Sequence, residues 1–301
     1  MKELVILSGK GGTGKTSLTA SLATLAARDS KAMFCDADVD AADLHLIMNP
    51  KILETHDFIS GNEAVINPDL CTGCGQCFEV CRFDAVSQSE DDTYNIDPLD
   101  CEGCGVCVDL CPEQAIDFPE KNCGQWFASE TRFGTMIHAR LGIAEENSGR
   151  LVALVREEAR KRAQTRNLEL ILTDGPPGIG CPVIASVGQA TAVLIVTEPS
   201  VSGIHDMKRV AELAAHFKIP AMVCINKYDL NPDQARAIEE IAKEKGLTMV
   251  GKIPFDKAFT EAMVQGKSVV ETHGDSQATQ MMEDIWKRIN TSPAMAQERI
   301  C

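Results

Sequence analysis

A chain of 301 residues with 44% hydrophobic content can bury one large α/β core and carry a smaller companion domain. Its sequence holds no apolar run near the about 20 residues that cross a bilayer, so no membrane span and no stable membrane anchor are expected. The net charge of −15 is unevenly spread: residues 61–120 hold 14 of the 44 acidic residues against one base, Arg82, which disfavours nucleic acid and favours a partner rich in Lys and Arg.

Leu4-Val5-Ile6-Leu7 reads as a short strand, and residues 8–17, SGKGGTGKTS, follow it directly. Strand, glycine-rich turn and helix in that order form a phosphate cradle. Gly9, Gly11, Gly12 and Gly14 keep side chains out of the way, so the backbone N–H groups through Thr13 and Ser17 can face phosphate oxygens at a helix N-terminus. Lys15 is placed to reach the β- and γ-phosphates, and Thr16 to offer its hydroxyl to Mg²⁺. A second lysine, Lys10, is surplus to binding one nucleotide in one subunit. Residues 32–35 read as a second strand ending in Asp36-Ala37-Asp38-Val39-Asp40. Asp38 is the candidate for orienting an attacking water, ahead of Asp36 and Asp40, before a helix expected near Ala41.

From residue 60 the pattern changes. Cys71, Cys74, Cys77 and Cys81 recur 30 residues later as Cys101, Cys104, Cys107 and Cys111, with Ile66, Pro68, Gly73, Gly75 and Ala85 repeated as Ile96, Pro98, Gly103, Gly105 and Ala115. Met1-Lys2-Glu3 runs straight into the first strand without a secretory pattern, so a cytoplasmic chain with reduced thiols is expected, and clustered cysteines then read as metal ligands. The doubled C-x₂-C-x₂-C-x₃-C spacing is that of bacterial ferredoxins with two 4Fe-4S clusters. Crossing of the fourth cysteine assigns Cys71, Cys74, Cys77 and Cys111 to one cluster, and Cys101, Cys104, Cys107 and Cys81 to the other. Zinc is the alternative, though its sites usually use two separated C-x₂-C pairs.

Residues 119–148 lead out of this segment, with Trp126, Phe127 and Phe133 expected to pack the small domain on the large one. A helix over 149–166 and a strand over 168–173 resume the nucleotide domain. That strand delivers Asp174, a second Mg²⁺ contact made directly or through water, and then Gly178, whose N–H can approach a γ-phosphate. Cys181 reads as a plain buried thiol, since a bridging-cluster role would need it exposed at a dimer axis. Strands over 192–197, 221–225 and 248–253 alternate with helices over 204–217, 257–265 and 277–289, a doubly wound, mostly parallel α/β sheet. Asn226-Lys227-Tyr228-Asp229 can bind a purine edge and looks like the guanine-reading NKxD motif, which leaves GTP open at this point. The domains expected are 1–59 with 119–290 for nucleotide, 60–118 as an inserted α+β ferredoxin-like domain, and a tail over 291–301.

Together these motifs resemble the MinD/ParA class of phosphate-loop ATPases with a deviant Walker A loop, and within it the group carrying an inserted two-cluster ferredoxin domain. The resemblance rests on KGGTGKT at residues 10–16, DAD at 36–38, the eight cysteines, DGPPGIGCP at 174–182 and TEPSVSGIHD at 197–206. It implies an ATP-dependent dimer with itself or a paralogue, in which Lys10 reaches the partner subunit's nucleotide. It also implies Asp38 in the first switch, Asp174 near Mg²⁺, Asn226 on adenine, and ATP/ADP rather than GTP. The function expected is an ATPase whose nucleotide state gates electron transfer from the clusters to a redox or metallocofactor-assembly protein. A cluster carrier and a MinD-like spatial organiser with redox-sensing clusters are the alternatives.

Overall fold

The computed structural model describes residues 1–29, 31–142, 145 and 147–296. In chain order the nucleotide-binding half opens with β1 (Lys2–Ser8), α1 (Lys15–Asp29), β2 (Ala32–Asp36), α2 (Leu44–Met48) and β3 (Lys51–Asn62). The cysteine segment follows as β4 (Val65–Ile66), α3 (Gln76–Val80), β5 (Val86–Gln88), β6 (Tyr94–Ile96), α4 (Val106–Leu110) and β7 (Ile116–Asp117). Then come β8 (Glu120–Thr131), β9 (Gly134–Leu141), α5 (Ser148–Thr165), β10 (Leu170–Pro177), α6 (Cys181–Val187), β11 (Ala192–Thr197), α7 (Val201–His216) and β12 (Ala221–Asn226). The C-terminal part holds α8 (Pro232–Glu244), β13 (Thr248–Ile253), α9 (Lys257–Val264), α10 (Val269–Thr272), α11 (Gln277–Thr291) and α12 (Pro293–Ala296). Of the expected tail, residues 297–301 lie outside the described residues.

Among the described residues nine strands form one sheet in the order β13-β12-β11-β1-β10-β2-β9-β8-β3. Every registered pair from β13 to β9 is parallel. Successive strand residues point to opposite faces, so Leu4 and Ile6 join one core with Leu18, Leu22 and Trp286, while Val5 and Leu7 join the other with Val183, Met207 and Ile238. Burial on both faces explains why these strands read as unbroken apolar runs. β1 lies between β10 and β11, so the loop leaving it opens where the connections diverge to the two sides of the sheet. No described helix is long and apolar enough to cross a membrane.

The chain divides into two compact units, one of Met1–His56, Trp126–Arg140 and Ser148 onward, the other of Asp57–Gln125 with Leu141–Asn147. The second unit begins earlier and ends later than the expected 60–118, because β3 and β8 are long strands that run from one unit into the other. Trp126, Phe127 and Phe133 all fall in the first unit. There Trp126 stacks on His56 at 4.1 Å, Phe127 on His138 at 5.0 Å, and Phe133 lies under Arg132 at 4.5 Å. Within the second unit β4 pairs with β7 and β5 with β6, both antiparallel, and each half supplies one five-residue helix.

Arg132, in the link between β8 and β9, ties that link to α2 and α10. Its Nε and Nη2 donate to the two carboxylate oxygens of Glu271 at 2.6 and 2.9 Å. Nη2 also donates to the Ile47 carbonyl at 2.8 Å and Nη1 to that of Met48 at 2.9 Å, satisfying the end of α2. Burial raises the Glu271 pKa, but the Arg132 and Ser268 bonds outweigh it and hold it below its ordinary value. Arg132→Ala is expected to cost about 2 kcal/mol in urea unfolding at pH 7, with Arg132→Lys recovering little because lysine lacks the bidentate fork. A depressed carboxyl stabilises above its unfolded pKa and loses that contribution as pH falls, so the deficit of the alanine variant should shrink below about pH 4.

Candidate nucleotide site and cysteine pockets

The loop between β1 and α1 lines an open cleft with about 1170 Å³ of empty space. Gly11, Gly12, Thr13, Gly14, Lys15, Thr16 and Ser17 border it, with Asp38 and Asn226. Gly14 has φ +86°, and a Cβ there would stand 2.3 Å from the Asn226 amide nitrogen, so only glycine fits. The Thr13 hydroxyl is buried without a hydrogen-bond partner among the described residues, as expected of a group whose acceptor is a ligand phosphate.

Lys15 Nζ sits 3.0 Å from Asp174 Oδ1 and 3.2 Å from Asp38 Oδ2, with its side chain 6% exposed. Thr16 donates its hydroxyl to Asp174 Oδ2 at 2.8 Å, so the two expected Mg²⁺ contacts already touch each other. Thr19, which the sequence did not single out, donates to Asp174 Oδ1 at 2.8 Å and fixes the carboxylate. Burial pulls the Lys15 pKa down, but Asp174, Asp38 and Asp36 outweigh it and hold it above the ordinary value. Burial, and then Asp174, pushes Asp36 well above the usual carboxylate range; burial raises Asp38 too, against Lys15. Asp36 does not face the cleft as a base. It accepts the N–H groups of Asp38 and of Leu44, the first residue of α2, and so braces the loop.

Other expected contacts are occupied within the chain. Lys10 forms an ion pair with Glu198 and donates to Ser202 Oγ at 3.2 Å. Gly178, at φ +92°, donates its N–H to the Ser8 carbonyl at 2.8 Å, a bond that must open before a γ-phosphate can take that donor. Asn226 donates to the Thr13 carbonyl at 2.7 Å and Lys227 to the Gly12 carbonyl at 3.0 Å, so both hold the phosphate loop. Asp229, the residue that would read guanine, accepts the Phe255 N–H at 2.6 Å and does not border the cleft. Cys181, expected to be a buried thiol, is instead exposed, because it opens α6 and that helix buries the face of Val183, Ser186 and Val187.

In the second unit the eight cysteines divide between two hollows of about 340 and 290 Å³. Cys71, Cys74, Cys77 and Cys111 line the first; Cys81, Cys101, Cys104 and Cys107 line the second. These are the crossed sets expected from the spacing. The described cysteines are free thiols, and among the described residues no three His, Cys, Asp or Glu converge as one metal ion would require. Thiols ringing a hollow suit a cluster of several atoms better than a single ion.

A glycine loop at the carboxyl end of a parallel strand, with Lys15, Thr16 and Asp174 converging on it, defines a phosphate-loop nucleotide-binding protein. The model of the CobQ/CobB/MinD/ParA nucleotide binding domain matches residues 4–269, and the chain belongs to that family of MinD/ParA-type ATPases. An uncharacterized protein of Methanocaldococcus jannaschii is 33% identical over 229 residues, 76% of this chain and 79% of its own. The iron-sulfur cluster carrier protein of Aquifex aeolicus is 27% identical over 133 residues, 40% of this chain and 36% of its own. In fold, the chain is similar to the septum site-determining protein MinD of Pyrococcus horikoshii, solved with Mg-ADP, at TM-score 0.59 and 16% identity, covering 96% of each chain.

The geometry at Asp229 makes a base-specificity prediction. In fluorescent-nucleotide displacement, Asp229→Ala should leave the preference for ATP over GTP unchanged. Affinity for both should fall roughly three- to ten-fold as the Phe255 segment loses its anchor. A change in the ATP/GTP ratio would instead show that Asp229 reads the base.

Proposed function

We propose that this chain is an ATP-hydrolysing iron-sulfur protein in which nucleotide state gates electron transfer from two 4Fe-4S clusters to a redox or metallocofactor-assembly protein. One observation carries the reading: a phosphate-loop cleft and two four-cysteine pockets occur in a single chain. Bound clusters would supply one-electron transfer, held by the two cysteine sets. Thr16 and Asp174 would hold the Mg²⁺ that accompanies ATP.

The residues then act as follows. Lys15 turns from Asp174 and Asp38 toward the β- and γ-phosphates, since the triphosphate offers it more negative charge. Asp38, released, is free to orient the attacking water. Lys10 leaves Glu198 and Ser202 for the nucleotide of a second copy or a paralogue, so ATP closes a dimer and hydrolysis reopens it. Loops held by a γ-phosphate and relaxed on its loss are a recurrent switch.

The similarity to a cluster carrier favours a second reading, delivery of iron and sulfur themselves. Four thiolates per pocket count against it, because each cluster then keeps a full set of protein ligands. Anaerobically purified protein should contain about eight irons per chain, four per cysteine set. Reduced protein should pass electrons to a lysine-rich acceptor, cytochrome c, at a rate that Mg-ATP changes several-fold. Lys15→Ala should keep its iron and lose both hydrolysis and the ATP effect. Labelled iron appearing in an apo-acceptor in proportion to ATP turnover would favour the carrier reading.

A further inference from the structure

The two cysteine pockets match at the 30-residue repeat, so their differences stand out. One carboxylate borders each, Glu113 at the first and Glu102 at the second, and formal charge at the lining does not separate them. A phenol hydroxyl does, for each lining holds one aromatic ring, Tyr94 at the first pocket and Phe83 at the second. Tyr94 borders the first pocket, and its repeat counterpart at the second is Ala64.

The loop backbone is shaped to admit this phenol. Gly75 has φ +76°, and a Cβ there would stand 3.0 Å from the Tyr94 hydroxyl. Gly105 has the same φ, but its neighbour is the apolar edge of Phe118, 3.3 Å from the corresponding point. Phe78 packs on Tyr94 with ring centroids 6.0 Å apart and limits where the ring can go. The Tyr94 hydroxyl takes no hydrogen-bond partner among the described residues, so its proton is available to an acceptor inside the pocket.

Resting on the two-cluster reading above, we propose that Tyr94 is a tuning residue. It donates a hydrogen bond to a sulfur of the cluster held by Cys71, Cys74, Cys77 and Cys111 and makes that cluster the higher-potential one. Reduction adds one negative charge to a cluster, and a fixed donor stabilises the more negative form more strongly, which raises the potential. Phe83, the aromatic lining the second pocket, carries no such donor, and neither does Phe118, which stands against Gly105 where Tyr94 stands against Gly75. Arg82, next to Cys81, is exposed, and water and salt screen its opposing effect on the second cluster. Electrons entering the protein therefore come to rest at the Cys71 set.

An EPR-monitored titration of the anaerobic holoprotein, with dithionite as reductant, tests this. The unsubstituted protein should show two one-electron steps. Tyr94→Phe should move the upper step down, changing the reduced-to-oxidised ratio at fixed potential roughly five-fold, about 40 mV, and leave the lower step in place. Phe118→Tyr should raise the lower step alone, a gain that a merely structural aromatic would not produce. Iron-replete Tyr94→Phe protein with both midpoints unmoved, or moved equally, overturns the proposal. Unsubstituted protein with about four irons or fewer overturns the two-cluster reading instead, so the two failures are distinct.

Discussion

The structure turns on the buried ammonium of Lys15. Three carboxylates, Asp36, Asp38 and Asp174, lie close enough to shift its titration, and one positive charge cannot neutralise them. Burial first, and then the neighbouring Asp174 carboxylate, raise Asp36 and Asp38 above the usual carboxylate range, so the excess is unfavourable. Bringing in a divalent cation and a phosphate chain redistributes every one of these pairs. The site is therefore held together by contacts that ligand binding must exchange, and the loop cannot stay indifferent to what occupies the cleft. The Lys10–Glu198 pair follows the same logic, because a half-exposed ion pair contributes little and yields readily to a better anion.

A packed route leads from that site through the nucleotide-binding unit. Asp36 is tied to the N-terminal end of α2 by Leu44, and the other end of α2 is tied by its Ile47 and Met48 carbonyls to Arg132. Arg132 stands where β8 turns into β9, and β8 continues into the cysteine-bearing unit. Spatial continuity alone is not coupling; the physical requirement is an element with two arrangements that both sites bias. The Asp36–Asp43 loop meets part of that requirement on the proposed switch, since Asp38 pairs with Lys15 in this structure and would lose that partner to a bound phosphate.

How much of this was legible in the sequence depended on how local its cause was. β11 was readable to the residue, because an apolar run between polar breakers specifies a buried parallel strand; β13 has the bounds read from the sequence too, although TMVGKI holds a glycine and a lysine and is buried only in part at the end of the sheet. The phosphate loop was readable because phosphate binding fixes its spacing, and the cysteine spacing already grouped the residues that line the two hollows. β3, β8 and β9 were missed: KILETHDFISGN and EKNCGQWFASET mix charge, glycine and aromatics, and their strand state is set by sheet neighbours. The helix expected near Ala41 starts at Leu44, since Asp36 reaches over the intervening turn to cap it. Asp229 shows the converse. Its four-residue string looks like a guanine reader, yet the Phe255 amide, distant in sequence, takes its carboxylate. Glu198 and Ser202 as partners of Lys10 likewise come only from folding α7 beside the loop.

The cysteine-bearing unit poses a different physical question, namely what holds it. Neither α3 nor α4 buries a single residue, and each is too short to persist on its own. Across Asp57–Gln125 the fully buried apolar side chains are few and mostly small, among them Phe58, Ala64, Ala85, Val86, Ala115 and Ile116. Leu70, Phe78, Leu99 and Leu110 remain exposed. A segment of this size with so thin a core needs covalent or metal staples to be stable. The described cysteines form no disulfides, so the eight thiols around the two hollows are the available staple. On the two-cluster reading, binding energy at those thiols is folding energy for the unit, and the same four-cysteine sets would carry both the chemistry proposed for this segment and its stability around so little apolar surface.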